Sequence, residues 1–168
     1  MKKRKLRRDG MMVSEVGLGC MSFAGFYGET TREDSHATLA AALDLGVDFL
    51  DTANVYGMGV SETVMGEFLK DHPDRFTIAT KGGIRRDPDT GKRDFCNRED
   101  YLRAELEKSL TRLGVDNVAL YYIHRRDTEV EIEDVMQTLL KFKAEGKIED
   151  IRIFSLETNP QAPLPDAR

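Results

Sequence analysis

The stretch Leu113-Gly114-Val115-Asp116-Asn117-Val118-Ala119-Leu120-Tyr121-Tyr122-Ile123-His124 decides the fold. Before it, Leu102, Leu106, Leu110 and Leu113 recur at helical spacing, which predicts one apolar stripe on a helix. Asn97 reads as the cap of that helix and Gly114 as its stop. Val118 to Ile123 is almost wholly apolar rather than alternating. Such a run suits a parallel strand with both faces covered. It ends on an ionisable residue, His124.

Working outward, the same unit repeats. Upstream, Phe76 to Thr80 reads as a strand that runs into Lys81. Between it and the helix, the polar stretch Gly83 to Cys96 contains Asp-Pro and Thr-Gly and predicts a loop. Ser61 reads as the cap of a helix with Val64, Met65, Phe68 and Leu69 on one face, ended before Pro73. Val47 to Leu50 reads as a strand that runs into Asp51. Thr30 and Glu33 suggest a capping box for a helix carrying Leu39, Ala42 and Leu43, stopped by Gly46. Nearer the start, Arg4 to Arg8 and Met11 to Val16 flank Asp9-Gly10, a hairpin signal. Gly17 to Met21 reads as a first buried strand. Downstream, Ile132, Val135, Met136, Leu139 and Leu140 line a further helix that stops at Gly146, and a fifth strand is expected over 148–154.

Strands alternating with amphipathic helices predict an α/β fold with a mainly parallel sheet. No Gly-x-Gly-x-x-Gly follows the first strand, which points away from a doubly wound dinucleotide fold and toward a closed barrel. The expected organisation is one unit over 1–155, with a hairpin at 4–16 and strand–helix units over 17–155. Pro160, Pro163 and Pro165 mark 156–168 as a disordered tail.

The chain has 168 residues, with 25 Lys and Arg against 30 Asp and Glu and a net charge of −5. Six of the first eight residues are basic, so the rest is more acidic still. That argues against a broad nucleic-acid face, although the basic run by itself also fits a nucleic-acid contact or a nuclear signal. The basic run reads instead as a solvated strand edge. Met11 to Phe26 imitates an export signal, but Glu15 interrupts it and Asp9 and Gly10 precede it. No apolar run is long enough to span a bilayer. Cys20 and Cys96 lie far apart, as expected of reduced thiols in the cytoplasm. His36, His72 and His124 show no metal-ligand spacing, so no metal is expected.

Asp51, Lys81 and His124 each follow a strand run. In a parallel barrel such ends converge on the face where active sites sit. Any one of them alone would read as a loop residue; three at matched ends read as a set. Tyr56 lies five residues beyond Asp51 in a loop that can fold over the strand ends. A phenol ordinarily ionises near pH 10. Lys81 beside it would lower that value, Asp51 would keep Lys81 charged, and His124 could donate to a carbonyl oxygen. This is apparatus for protonating an alkoxide as hydride reaches a carbonyl. No side chain supplies hydride, so a nicotinamide cofactor is implied.

Asp51-Thr-Ala-Asn-Val-Tyr56-Gly57, Ile78-Ala-Thr-Lys81-Gly82 and Leu120-Tyr-Tyr-Ile-His124-Arg125 resemble the motifs of the aldo/keto reductase family. The Asp9-Gly10 hairpin, Val16-Gly17-Leu18-Gly19-Cys20-Met21 and Glu145-Gly146-Lys147-Ile148 are similar to further family segments. The resemblance covers about residues 4 to 150. It implies the N-terminal part of a (β/α)8 barrel, about five of its eight strands, that reduces small aldehydes and ketones with NADPH. It implies Tyr56 as general acid, Lys81 and Asp51 as its tuning pair, and His124 as the carbonyl-positioning group. Gly19, Cys20 and Met21, with Asp51, would face the nicotinamide riboside. The Tyr-Tyr-Ile-His-Arg segment is more similar to the bacterial and plant branch.

The resemblance stops after Ile151, where Arg152-Ile153-Phe154-Ser155 replaces the family's Gly-apolar-Ser pattern. A typical barrel of this kind takes about 250 residues. The family's later strands supply most contacts to the pyrophosphate and the adenosine 2′-phosphate. Three expectations therefore stand side by side. One is an active reductase. The second is an inactive truncated barrel, or an interaction fragment, left by a frameshift or early stop. The third is a half-barrel that self-associates through open sheet edges.

Overall fold

The computed structural model describes residues 1–6, 10–87 and 89–153. A short antiparallel hairpin of β1 (Lys3–Lys5) and β2 (Met12–Ser14) opens the chain. Its strands pair nearer the start than the Asp-Gly signal suggested, with Lys5 opposite Met12 and Leu6 donating to the Met11 carbonyl. Asp9 itself and the tail over 156–168 lie outside the described residues.

Five parallel strands follow: β3 (Leu18–Gly19), β4 (Phe49–Asp51), β5 (Thr77–Gly82), β8 (Val118–Ile123) and β9 (Ile148–Ile153). They neighbour one another in chain order, so the sheet has no switch point. A doubly wound fold requires one; sequential order is that of a barrel wall. The helices α1 (Arg32–Asp44), α2 (Val60–Leu69), α3 (Glu99–Leu113) and α4 (Ile132–Ala144) connect the strands. Leu39, Leu50, Met65, Ile78, Leu102, Leu106, Tyr121, Leu139 and Phe142 pack between sheet and helices.

Several local expectations shift. The capping box is formed by Thr31 and Asp34, one residue later than Thr30 and Glu33. Ser61 lies inside α2, whose cap is Gly59, and Arg98 rather than Asn97 caps α3. The side chains of Ser61 and Asn97 turn inward to distant backbone instead. The first strand is confined to Leu18–Gly19, because Met21–Ala24 turns into a 3-10 helix. The stretch 83–96 is not all loop. It contains the antiparallel pair β6 (Ile84–Arg86) and β7 (Arg93–Phe95), fastened by Arg85 and Asp94. Leu140 is exposed, and Phe142 takes the core position.

Helices α2 and α3 meet at Gly66, where a Cβ would collide with the Arg112 carbonyl. Backbone against backbone leaves no soft side chain to yield. Gly66→Ala is therefore expected to lower the melting temperature by roughly 4–10 °C, read by thermal denaturation. An unchanged melting temperature would show that the two helices are not packed this closely.

Candidate active site

Period-two alternation along β4 and β5 places Leu50, Ile78 and Thr80 toward the helices and Asp51 and Lys81 toward the opposite face. Tyr122 pairs in register with Lys81, and His124 follows one residue beyond β8. His124 is anchored by its N–H to the Gly82 carbonyl at 2.8 Å. Asn97 clasps the next segment: its side-chain carbonyl accepts from Asp127 N at 2.8 Å, and its amide donates to Arg125 O at 3.1 Å.

Tyr56 arrives on a tight turn over Tyr56–Gly59. Three successive residues there have positive φ: Gly57 at 61°, Met58 at 55° and Gly59 at 95°. Glycine suits such backbone, whereas the left-handed region disfavours Met58 by roughly 1–2 kcal/mol. A Cβ on Gly57 would press on Ala24 at 2.8 Å, so the turn fits against the 3-10 helix after β3.

The predicted residues come together. Lys81 is 1% exposed and is paired with Asp51. Its ammonium also donates to Thr52 O at 2.9 Å and to the Tyr56 hydroxyl at 3.5 Å. The Tyr56 and His124 rings meet edge-on, centroids 5.8 Å apart at 86°. Phe26 closes the other side of Tyr56, centroids 6.0 Å apart. Gly19 pairs in register with Asp51, and open space lies where its Cβ would be. Cys20 N donates to Asp51 O at 2.8 Å, and its thiol is buried. Among the described residues, no group of three or more His, Cys, Asp or Glu is placed to hold a metal. A cavity of about 650 Å³ lies at the other end of the strands, beside Leu69, His72, Phe76 and Asp116, and includes none of these residues.

The aldo/keto reductase family profile matches residues 15–156. The chain belongs to the aldo/keto reductase family. It is 38% identical over 158 residues to a Schizosaccharomyces pombe aldo-keto reductase whose name specifies NADP(+), across 93% of this chain and 46% of that one. It is 33% identical over 159 residues to an uncharacterized oxidoreductase of Bacillus subtilis, across 95% of this chain and 50% of that one. Among solved structures, the holo form of a Bacillus halodurans aldo-keto reductase superposes with a TM-score of 0.83 at 31% identity, over 91% of this chain and 50% of that one. A Gluconobacter oxydans glycerol dehydrogenase superposes at 0.79 and 33% identity, over 90% and 47%. The chain thus spans about half the length of the relatives it matches.

In this aldo/keto reductase chain, burial dominates the ionisation of the cluster. It pulls the Lys81 ammonium below its ordinary value, and Asp51 pulls it back. Burial and then the Asp51 carboxylate push Tyr56 up to about 12. Burial and Asp51 outweigh the lowering expected from Lys81. Lys81 is engaged by Asp51 and Thr52 O, and it stands at the limit of hydrogen-bond reach from the phenol. The phenol is therefore in its acid form at neutral pH. His124 is pushed down to about 4 by burial, then by Lys81 and Arg125. Its ring is neutral, able to donate one N–H without bringing a proton to exchange.

The supporting roles of five residues escaped the sequence reading, which took Ser61 and Asn97 for helix caps. Ser61, Glu62, Thr80, Asn97 and Arg112 are polar groups whose partners lie 9 to 50 residues away. For Thr80 the one available signal was its placement in the otherwise apolar strand run before Lys81.

An unfolded histidine titrates near 6.5. His124 titrates lower when folded, so between those values the unfolded chain binds the extra proton. The stability present above pH 6.5 is then lost as pH falls toward 4. His124→Gln removes this term. Its melting temperature is expected to fall less between pH 7 and pH 4.5 than that of the parent, by roughly 3–6 °C. Parallel pH curves for the two proteins would contradict the buried, neutral imidazole.

Proposed function

We propose that the chain serves the NAD(P)H-dependent reduction of a small aldehyde or ketone to an alcohol. The observation that supports this reading is the meeting of Tyr56, Lys81, Asp51 and His124 at the ends of neighbouring parallel strands. NADPH is the proposed reductant, because the Schizosaccharomyces pombe relative is named for NADP(+). Open space at Gly19, beside Asp51, suits a flat ring laid against the end of β3. The proposed contacts to the nicotinamide riboside are Gly19, Cys20, Met21 and Asp51. When bound, the nicotinamide supplies the hydride.

The side chains do the rest. The neutral His124 ring donates to the carbonyl oxygen and fixes its direction toward Tyr56. As negative charge develops on that oxygen, the Tyr56 hydroxyl gives up its proton to it. Lys81 stabilises the phenolate left behind, and Asp51 keeps Lys81 charged and in place. Phe26 shields one side of the phenol from water.

A second reading rests on a separate observation. The chain spans about half of its relatives, and among the described residues β3 and β9 each pair with a single neighbour. Such edges favour self-association, and a chain of that kind could lack turnover. A cytoplasmic setting belongs to the proposal too, resting on two separate thiols, Cys20 and Cys96. Among the described residues, no helix is long and apolar enough to cross a membrane.

The test is NADPH titration of the purified chain with thermal shift and aldehyde-dependent NADPH oxidation. Turnover is expected to drop roughly 10²–10⁴-fold in Tyr56→Phe, with NADPH binding retained. A folded sample that NADPH does not stabilise would overturn the reductase reading in favour of the inactive partial barrel.

A further inference from the structure

The first turn of α2 reaches behind the site at several points. Ser61 Oγ donates to Cys20 O at 2.7 Å and lies 2.9 Å from Thr52 Oγ1, next to Asp51. Glu62 is fully buried. One carboxylate oxygen, Oε1, accepts from Thr80 Oγ1 at 2.7 Å. The other, Oε2, accepts from Arg112 Nη1 at 2.8 Å. Thr80 directly precedes Lys81 on β5. Arg112, on α3, lies against Gly59, where a Cβ would collide with its guanidinium. Gly59 ends the turn that Tyr56 begins.

One carboxylate therefore holds the strand that carries the cation directly and, through Arg112, backs the turn that carries the phenol. Burying a carboxylate is unfavourable unless its oxygens are satisfied, and an apolar side chain of similar volume would pack α2 against the sheet at least as well. The arrangement assigns each oxygen of Glu62 to a different element. Through Thr80 and Arg112 it links β5 to the turn that begins at Tyr56, and their spacing is the one that matters to the proposed proton transfer.

We propose that Glu62 is a positioning residue that, through Thr80 and Arg112, sets the separation between Lys81 Nζ and Tyr56 Oη. The proposal rests on the reading of Tyr56 as the acid. Glu62 touches no reacting atom. It holds the ammonium's strand and the phenol's turn in one register, and Arg112 is the arm that reaches the turn. Replacing Glu62 leaves Arg112 without its buried partner, which frees the guanidinium from the back of Gly59.

The full chain labelled with carbon-13 at the tyrosine ring carbon bearing oxygen provides the test. The Tyr56 signal is assigned by its loss in Tyr56→Phe. It is expected to move in Glu62→Gln and in Arg112→Met by similar amounts, and no further in the double variant, as for residues acting through one link. Arg112→Lys, which keeps the charge facing Glu62, is expected to restore part of the parent signal. Where the chain turns over, kcat is expected to fall about 10–100-fold in Glu62→Gln while KM changes less than about threefold. A merely structural role would lower the melting temperature and leave the Tyr56 signal in place. An unmoved signal in folded variants overturns the proposal. If Glu62→Gln and Arg112→Met do not fold, Thr80→Val removes only the 2.7 Å bond and gives the same reading. The spectrum needs neither cofactor nor turnover, so an inactive chain leaves this test intact. Turnover that survives Tyr56→Phe would overturn the reading of Tyr56 as the acid, whereas the spectrum reports the surroundings of Tyr56 whether or not the chain turns over.

Discussion

A lysine ammonium held out of water is the constraint around which the rest is arranged. Lys81 is 1% exposed in the middle of a parallel sheet. An unpaired charge in that position would be strongly destabilising, and removing one partner of a buried pair typically costs about 3–5 kcal/mol. The Asp51 carboxylate and the Thr52 carbonyl answer that demand from the neighbouring strand. They can do so only if β4 and β5 keep the register that sets Asp51 beside Ala79. A slip of one residue would turn Lys81 into the helix layer and Thr80 outward. The pair therefore specifies register as well as electrostatics. The same desolvation that makes Lys81 hard to bury keeps Tyr56 protonated and His124 neutral.

Behind this face, polar groups are buried on purpose rather than by accident of packing. Glu62 and Arg112 form an ion pair whose carboxylate is wholly enclosed, with Thr80 satisfying its second oxygen. Asn97 and Asp127 exchange hydrogen bonds next to the loop that begins at His124. Both devices fix loops that leave the ends of strands. Loops are the less constrained part of an α/β fold, and a candidate site that takes Tyr56 and His124 from two of them needs those loops held to strand-like precision. The close approach of α2 to α3 at Gly66 brings Arg112 within reach of Glu62, so the helix packing and the loop anchoring are one arrangement.

The strand order, the helices and the four converging side chains were legible in the sequence because each leaves a local trace. Asp51, Lys81 and His124 are ionisable residues that interrupt apolar runs, and helical stripes such as Leu102, Leu106 and Leu110 repeat within a few residues. Ser61 and Asn97 were misread for the complementary reason. A hydroxyl or amide before a helix looks like a cap under any local rule. Here one bonds to backbone 41 residues earlier and the other to backbone 28 residues later. The pair β6 and β7 was invisible because both strands are mostly charged and exposed, so no alternation marks them. Their turn is instead set by Asp87, whose carboxylate accepts from the backbone of Asp89 and Thr90. The direction of the Tyr56 shift was also out of reach. Adjacency to a cation is readable from motif spacing, but the degree of burial and the prior engagement of that cation are not.

Alternation along the strands separates chemistry from folding more cleanly than the motifs alone suggest. Leu50 and Asp51, Thr80 and Lys81, and Ile123 and His124 are adjacent pairs at the ends of neighbouring strands. In each, the first residue packs or bonds toward the helices, and the second belongs to the candidate site. The described core is built from β3, β4, β5, β8 and β9 and the helices between them, on the helix side of the sheet. It accounts for a close superposition, with a TM-score of 0.83, on a structure of which the chain spans only half. The inner face makes the opposite demand. Its side chains are positioned by strands within this span, but a barrel interior is filled by layers drawn from alternate strands all the way round. The proposed proton transfer draws on the ends of β4, β5 and β8 and on the turn that carries Tyr56, all of them within this span.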